Sequence, residues 1–171
     1  MKLLFSFAAL LLCLSVLAPA GLSAQDYKSA AGVRLGYPLA ASYKTFLNES
    51  NAVEAYVGYR GFGSVNWITL NAAYLVHKDL DVSDDINGLR WYFGGGAGVQ
   101  FWNSDFFDDG TTTFSVSGYL GLEYTFDDTP VAVSLDYVPT FFIGDGFGGF
   151  SGFGAGYGAL GVRYVLNRGG E

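Results

Sequence analysis

From Thr113 to Phe126 the chain alternates with a period of two. Phe114, Val116, Leu120, Leu122, Tyr124 and Phe126 fall on one parity; Thr113, Ser115, Ser117, Tyr119, Gly121, Glu123 and Thr125 fall on the other. Successive side chains of an extended strand point to opposite faces, so this segment has one greasy face and one small or polar face. The next stretch repeats the pattern: Val131, Val133, Leu135, Tyr137, Phe141 and Ile143 alternate with Ala132, Ser134, Asp136, Val138, Thr140 and Phe142. Between the two, Asp127-Asp128-Thr129-Pro130 has the composition of a tight turn, and a proline is tolerated where a strand begins. Followed along the chain, the alternation predicts eight strands near 30–38, 41–47, 52–61, 65–78, 89–104, 112–126, 131–143 and 155–166. Pro38-Leu39-Ala40 must then make the first turn, and Asn48-Glu49-Ser50-Asn51 the second. The turns at 48–51 and 127–130 are four strands apart, so they share one end of the sheet with both termini. The link at 79–88 falls at that end too, although it is longer and more acidic than its companions.

The only long apolar run lies at the start. Lys2 is followed by an apolar core from Leu3 to Leu17, broken by Pro19, and Leu22-Ser23-Ala24 ends in a small residue. This is the layout of a secretory signal peptide, predicted to span 1–24 with cleavage before Gln25, leaving one mature domain at 25–171. A core of that length falls short of the roughly 20 residues a spanning helix needs. Cys13, the single cysteine, sits inside the leader behind Leu10-Leu11-Leu12, so neither a lipid anchor nor a disulfide is expected in the mature chain.

Alternation alone does not say which face turns inward. A soluble lipocalin-like barrel, which binds ligand in its interior, buries the apolar face; a membrane barrel shows it to lipid. Here the polar face is mostly Gly, Ser, Thr, Ala and Tyr, and only 15% of the chain is charged, against about 25% in ordinary soluble domains. A water-facing surface needs more Lys and Glu than this. The apolar parity also carries Tyr37, Tyr59, Trp91, Phe101, Phe114, Tyr124, Phe126, Tyr137 and Tyr164, an arrangement suited to aromatic girdles at the two membrane interfaces. The predicted fold is therefore all-β: an eight-stranded antiparallel up-and-down transmembrane β-barrel behind a cleaved signal peptide. On its polar parity lie Arg34, Glu54, Arg60, Arg90, Glu123, Asp136 and Arg163. An arginine at mid-membrane on the lipid side costs about 2–4 kcal/mol, so all seven are expected inward, as a charge network plugging the lumen.

Near the end of the chain stands Gly161-Val162-Arg163-Tyr164-Val165-Leu166. Its glycine, the aromatic three residues on and the hydrophobe two after that resemble the C-terminal signal read by the barrel-assembly machinery, with Gly161, Tyr164 and Leu166 as the matching positions. In many such proteins the last hydrophobe ends the chain; here Asn167-Arg168-Gly169-Gly170-Glu171 follow. With the leader, the strands and the turns, the mature chain resembles the small OmpA/OmpX-like outer-membrane barrels. The stretches Tyr43–Glu49 and Trp91–Gly98 are similar to outer-membrane β-barrel proteins of Bacteroidetes-type bacteria. The resemblance covers nearly all of 27–166. It implies the bacterial outer membrane as location, with its lipid, lipopolysaccharide and assembly machinery as partners, in a protein expected to be a monomer. It does not fix an activity, because that group holds adhesins, narrow pores and structural proteins.

Other motifs point nowhere firm. Gly156–Gly161 and Gly144–Gly149 match a dinucleotide-binding pattern, but neither opens a helix in a βαβ unit. The second lies in a Gly/Phe-rich stretch, 144–158, expected to be an outer loop in which Phe147, Phe150 and Phe153 touch lipopolysaccharide or a hydrophobic ligand. Asp79, Asp81 and Ser83 begin like a calcium loop, but Asp84 stands where glycine is needed and Arg90 where the closing Glu belongs. Removal of Lys2 leaves sixteen acidic groups against eight basic ones, with no basic patch for nucleic acid. The one histidine, His77, is placed inward at the end of the fourth strand without a visible partner for general-base work. No enzyme and no cofactor is expected. The function predicted is a structural or surface-interaction barrel with a plugged lumen, the alternative being a narrow pore for ions or small solutes.

Overall fold

The computed structural model describes residues 27–36, 38–62, 65–80, 88–104, 107–144 and 152–168. The expected signal peptide with Cys13, Tyr37 of the aromatic set, most of the acidic link (81–87) and Phe147 and Phe150 lie outside the described residues. Eight strands follow one another: β1 (Ser29–Gly36), β2 (Leu39–Phe46), β3 (Asn51–Phe62), β4 (Val65–Asp79), β5 (Leu89–Ser104), β6 (Phe107–Thr125), β7 (Val131–Ile143) and β8 (Gly152–Asn167). Each pairs antiparallel with the next, and β1 pairs with β8, so the sheet closes. Along that seam Ala30 stands opposite Val165, Arg34 opposite Gly161 and Gly36 opposite Ala159. Closure leaves no strand edge with unpaired peptide groups, which is what allows a sheet to stand in hydrocarbon.

The ends of the strands differ from expectation in three places. β2 already begins at Leu39, so Leu39 and Ala40 belong to the ladder and not to the first turn. β6 starts at Phe107, carrying the strand through the segment of Asp108 and Asp109. β8 starts at Gly152, so the second half of the expected Gly/Phe loop is strand: Phe153 pairs with Phe141, and its ring faces outward. In each case backbone pairing with a neighbour overrides a local composition that reads as a turn.

The turn at 48–51 is built as its sequence suggests. Asn48 accepts hydrogen bonds from the backbone N–H of Ser50 (3.0 Å) and Asn51 (2.9 Å), an Asx turn. The 127–130 turn lies at the same end. There Arg168, just after β8 and two residues beyond the assembly-signal-like hexapeptide, donates to the carbonyls of Asp127 (2.7 Å) and Thr129 (3.0 Å) and staples the end of β8 to this turn.

The two faces separate cleanly. Val33, Leu35, Val57, Ile68, Phe93, Val116, Leu120, Leu122, Leu135, Leu160 and Val162 are exposed on the outside of the barrel. Arg34 of β1, Glu54 of β3, Glu123 of β6, Asp136 of β7 and Arg163 of β8 point in and are buried. This is the reverse of a lipocalin-like barrel and excludes the soluble reading: an apolar belt running round a closed barrel has hydrocarbon as its solvent. The aromatics Tyr59, Phe101, Phe114, Phe126, Tyr137 and Tyr164 are exposed on the same outer face. Leu120→Arg is expected to lower the stability of the barrel in phospholipid vesicles by about 2–4 kcal/mol, measured by reversible denaturant unfolding.

Candidate functional site

An eight-stranded barrel has an interior only wide enough for side chains, and here that interior is layered. At the end holding both described termini, Tyr27, Ala30, Phe46, Ala52, Ala132 and Val165 form a buried apolar plate. Tyr27 precedes β1 and turns into the barrel, where its ring meets Phe46 edge-on at 5.1 Å. The backbone holds it there: Lys28 N–H donates to the Asn167 carbonyl (2.7 Å), and Phe46 N–H donates to the Lys28 carbonyl (2.9 Å).

Above the plate lies a charged layer. Arg163 donates to Glu54 Oε1 (2.5 Å) and to Glu123 Oε2 (3.4 Å). Its remaining donors reach Ser134 Oγ (2.8 Å) and Ser42 Oγ (3.2 Å). Arg34 reaches the same Glu54 oxygen (3.1 Å) and grips Asp136 with one nitrogen at 2.9 and 3.0 Å. Lys44 Nζ lies 2.7 Å from Glu123 Oε2 and 2.8 Å from His77 Nε2. An ammonium offers only donors, so His77 Nε2 accepts from it and the imidazole is neutral. Tyr27 and Tyr92 complete the layer, donating to Glu123 (2.9 Å) and Asp136 (2.6 Å). Three cations thus face three carboxylates, all buried. The balance matters because a buried charge without compensation is worth several kcal/mol of destabilisation.

Two glycines make room for this packing. A side chain at Gly121 would meet the Tyr92 ring at 2.5 Å and Asp136 Cβ at 2.8 Å, so the Tyr92–Asp136 hydrogen bond needs a residue without Cβ there. A Cβ at Gly161 would likewise clash with Ser134 Oγ and come within 2.8 Å of Arg163 Nη1. Gly161 therefore has a packing reason for its identity, besides its place in the assembly-signal-like hexapeptide.

Of the seven charges singled out in the sequence, the structure brings together Arg34, Glu54, Glu123, Asp136 and Arg163. Arg90 is buried but stands at the rim, 2.8 Å from Asp79 and donating to the Glu49 carbonyl (2.7 Å). Arg60 stands six residues beyond Glu54 on β3, half-buried and opposite Trp67; at about 3.3 Å per residue that is roughly 20 Å from the charged layer. The layer also contains residues the sequence reading left out: Lys44, Tyr27, Tyr92 and His77. The expectation that His77 lacks a partner is wrong: it touches Lys44, lies 3.8 Å from Glu123, and packs against Phe46 and Tyr92. On β2, Ala40, Ser42, Lys44 and Phe46 all point inward, which carries Lys44 into the layer. Among the described residues no cluster of three or more His, Cys, Asp or Glu is arranged to hold a metal ion.

Beyond this layer the lumen opens. Leu75, Ala73, Tyr119 and Val138 pack beside Tyr92, and the Tyr56 and Tyr119 hydroxyls meet at 2.8 Å. Above them is a cup of about 270 Å³ facing the opposite end of the barrel, lined in part by Trp67, Trp102, Thr69, Gln100 and Thr140.

No protein-family model and no curated protein matches the chain by sequence. Among solved structures the chain is similar to the N-terminal β-barrel domain of OprF from Pseudomonas aeruginosa, with a TM-score of 0.60 at 18% identity over 82% of this chain and 98% of that one. It also matches Neisserial surface protein A (NspA), with a TM-score of 0.47 at 12% identity over 81% and 93% of the two chains. The first likeness is one of fold. Joined to the apolar exterior, it makes this chain a small eight-stranded β-barrel of the outer-membrane type.

Glu54→Gln leaves Arg34 and Arg163 short of a shared counter-charge. It is expected to cost about 3–5 kcal/mol in reversible unfolding, well above a Glu49→Gln control in the exposed turn.

Proposed function

We propose that this protein is exported by its 1–24 leader, which is removed before Gln25, and serves in the outer membrane as a closed barrel. Its role is structural or surface-interacting, and neither enzymatic nor pore-forming. The observation that carries this reading is the stack of an apolar plate and a balanced charged layer across the lumen. Water and ions meet Phe46, Tyr27 and Val165 first and then side chains already committed to one another. To pass, an ion would have to break several buried charge-assisted hydrogen bonds at once. The same burial argues against chemistry at His77, whose ring has no exposure to a substrate. Outer-membrane lipid and lipopolysaccharide are the natural partners of the exposed apolar and aromatic exterior. Purified protein in a planar bilayer is expected to give no sustained conductance steps; regular openings from the wild-type chain would overturn the closed reading in favour of a narrow pore.

Gly161, Tyr164 and Leu166 serve, on this reading, as the signal for the barrel-assembly machinery. Tyr164 and Leu166 are exposed on the outer face of β8, free for an assembly factor to touch before lipid covers them. Tyr164→Ala with Leu166→Ala is expected to reduce the folded barrel in cells several-fold while leaving unassisted folding into detergent nearly unchanged. Equal loss in both settings would assign these side chains to stability alone.

A further inference from the structure

The cup above the charged layer has the make-up of a binding site. In an ordinary eight-stranded barrel side chains fill the interior; here the inward side chains of this half include the short Ala40, Ser117, Thr140 and Ala159, and they do not meet across the lumen. The space they leave is walled in register. Trp67 of β4 stands directly opposite Trp102 of β5, their rings 4.5 Å apart at 33°. Next below, Thr69, Gln100 and Thr113 form a belt across β4, β5 and β6. The Gln100 amide donates to Ser115 Oγ (2.8 Å) and Thr69 Oγ1 (3.3 Å), which fixes its orientation. Its carbonyl oxygen, and Thr113 Oγ1 beside it, are buried and take no hydrogen bond from the protein. Gln100 is 5% and Thr113 1% exposed, and both line the cup. Buried polar atoms are nearly always paired, so two of them on one wall of a cavity mark where a ligand's donor belongs.

The floor sets the ligand's charge. Arg34, the one charged residue lining the cup among the described residues, has both terminal nitrogens engaged by Glu54 and Asp136. A charged ligand would upset a cluster that is already neutral in sum, and would enter without a counter-ion. Size follows from the volume: about 270 Å³ lies just below the roughly 300–1,000 Å³ of pockets for drug-sized molecules. The cup opens at the end away from the termini and the short turns at 48–51 and 127–130, which outer-membrane barrels keep on the periplasmic side. We propose that it binds a compact, uncharged ring compound of about monosaccharide size from outside the cell, with one ring face against the Trp67–Trp102 wall and a hydroxyl or N–H donating to Gln100 Oε1. It is a site separate from the closed lumen beneath it, and binding there does not require a conducting pore.

The chain has three tryptophans, and the third, Trp91, lies on the outward parity near the other end of the barrel, stacked on Phe93. The test is to follow the three indole N–H signals by NMR in the detergent-solubilised barrel during titration with methyl glucopyranoside and, separately, 4-hydroxybenzyl alcohol. The anion 4-hydroxybenzoate serves as the charged comparison. Saturable shifts of Trp67 and Trp102 but not Trp91 are expected with at least one neutral probe, weakened about tenfold in Gln100→Leu, the loss of one good hydrogen bond. Thr140→Phe, which fills the cup from the opposite wall, is expected to abolish them; heat-dependent gel mobility reports that each variant is folded. The proposal fails if neither neutral probe gives a saturable shift, if all three tryptophans respond alike, if Gln100→Leu binds as well as wild type, or if the anion binds as tightly as its neutral counterpart.

Discussion

In hydrocarbon a peptide group has no water to turn to, and the seam between β1 and β8 is where this chain meets that constraint. Without the pairing of Ser29–Gly36 with Ala159–Asn167, two strands would present rows of unpaired N–H and C=O groups to lipid, each costing several kcal/mol. Closing with eight strands also fixes the circumference. At the level of the charged layer the lumen is filled by side chains, so the groups that point inward there must be satisfied by one another. The three-against-three charge balance, the glycines beside Tyr92 and Arg163, and the neutral His77 are answers to that single demand.

The demand is met unevenly along the axis. Toward the termini the interior is filled by aromatic, aliphatic and ionic side chains in contact. Toward the other mouth hydroxyl, amide and aromatic side chains line the walls without meeting across them, and space remains. A uniform core would have been more stable by ordinary packing arguments. The departure from close packing is confined to one half, which is why the two halves carry different functional readings.

Alternation in the sequence was enough to locate every strand, because a period of two is written into each residue pair and does not depend on distant partners. It was also enough to orient Arg34, Glu54, Glu123, Asp136 and Arg163 inward. What parity does not contain is height. Arg60 and Glu54 lie on the same strand and the same face, yet only Glu54 is level with the cluster, since level is set by the stagger between strands around the barrel. Lys44 escaped notice for a different reason. On β2 the outward set Leu39, Ala41, Tyr43 and Thr45 is hardly greasier than the inward set, so the strand's own contrast is too weak to assign its faces. Strand ends were missed where glycine and aspartate suggested turns but a longer neighbour offered continued pairing, as at Gly152 and Phe107.

The ion pairs of the lumen join residues far apart in the chain. Arg34 and Asp136 are separated by 102 positions, Arg163 and Glu54 by 109, and Tyr27 and Glu123 by 96. No contiguous half of the barrel contains the set. A partly assembled sheet would hold some of these charges without their partners, and keeping them in water would be cheaper than burying them. The layer therefore acts as a test of completion: its members gain from leaving water only when first and last strands are already side by side. A charge pattern that reads, residue by residue, as an obstacle to membrane insertion becomes in this way a reason for the chain to finish as one cooperative unit.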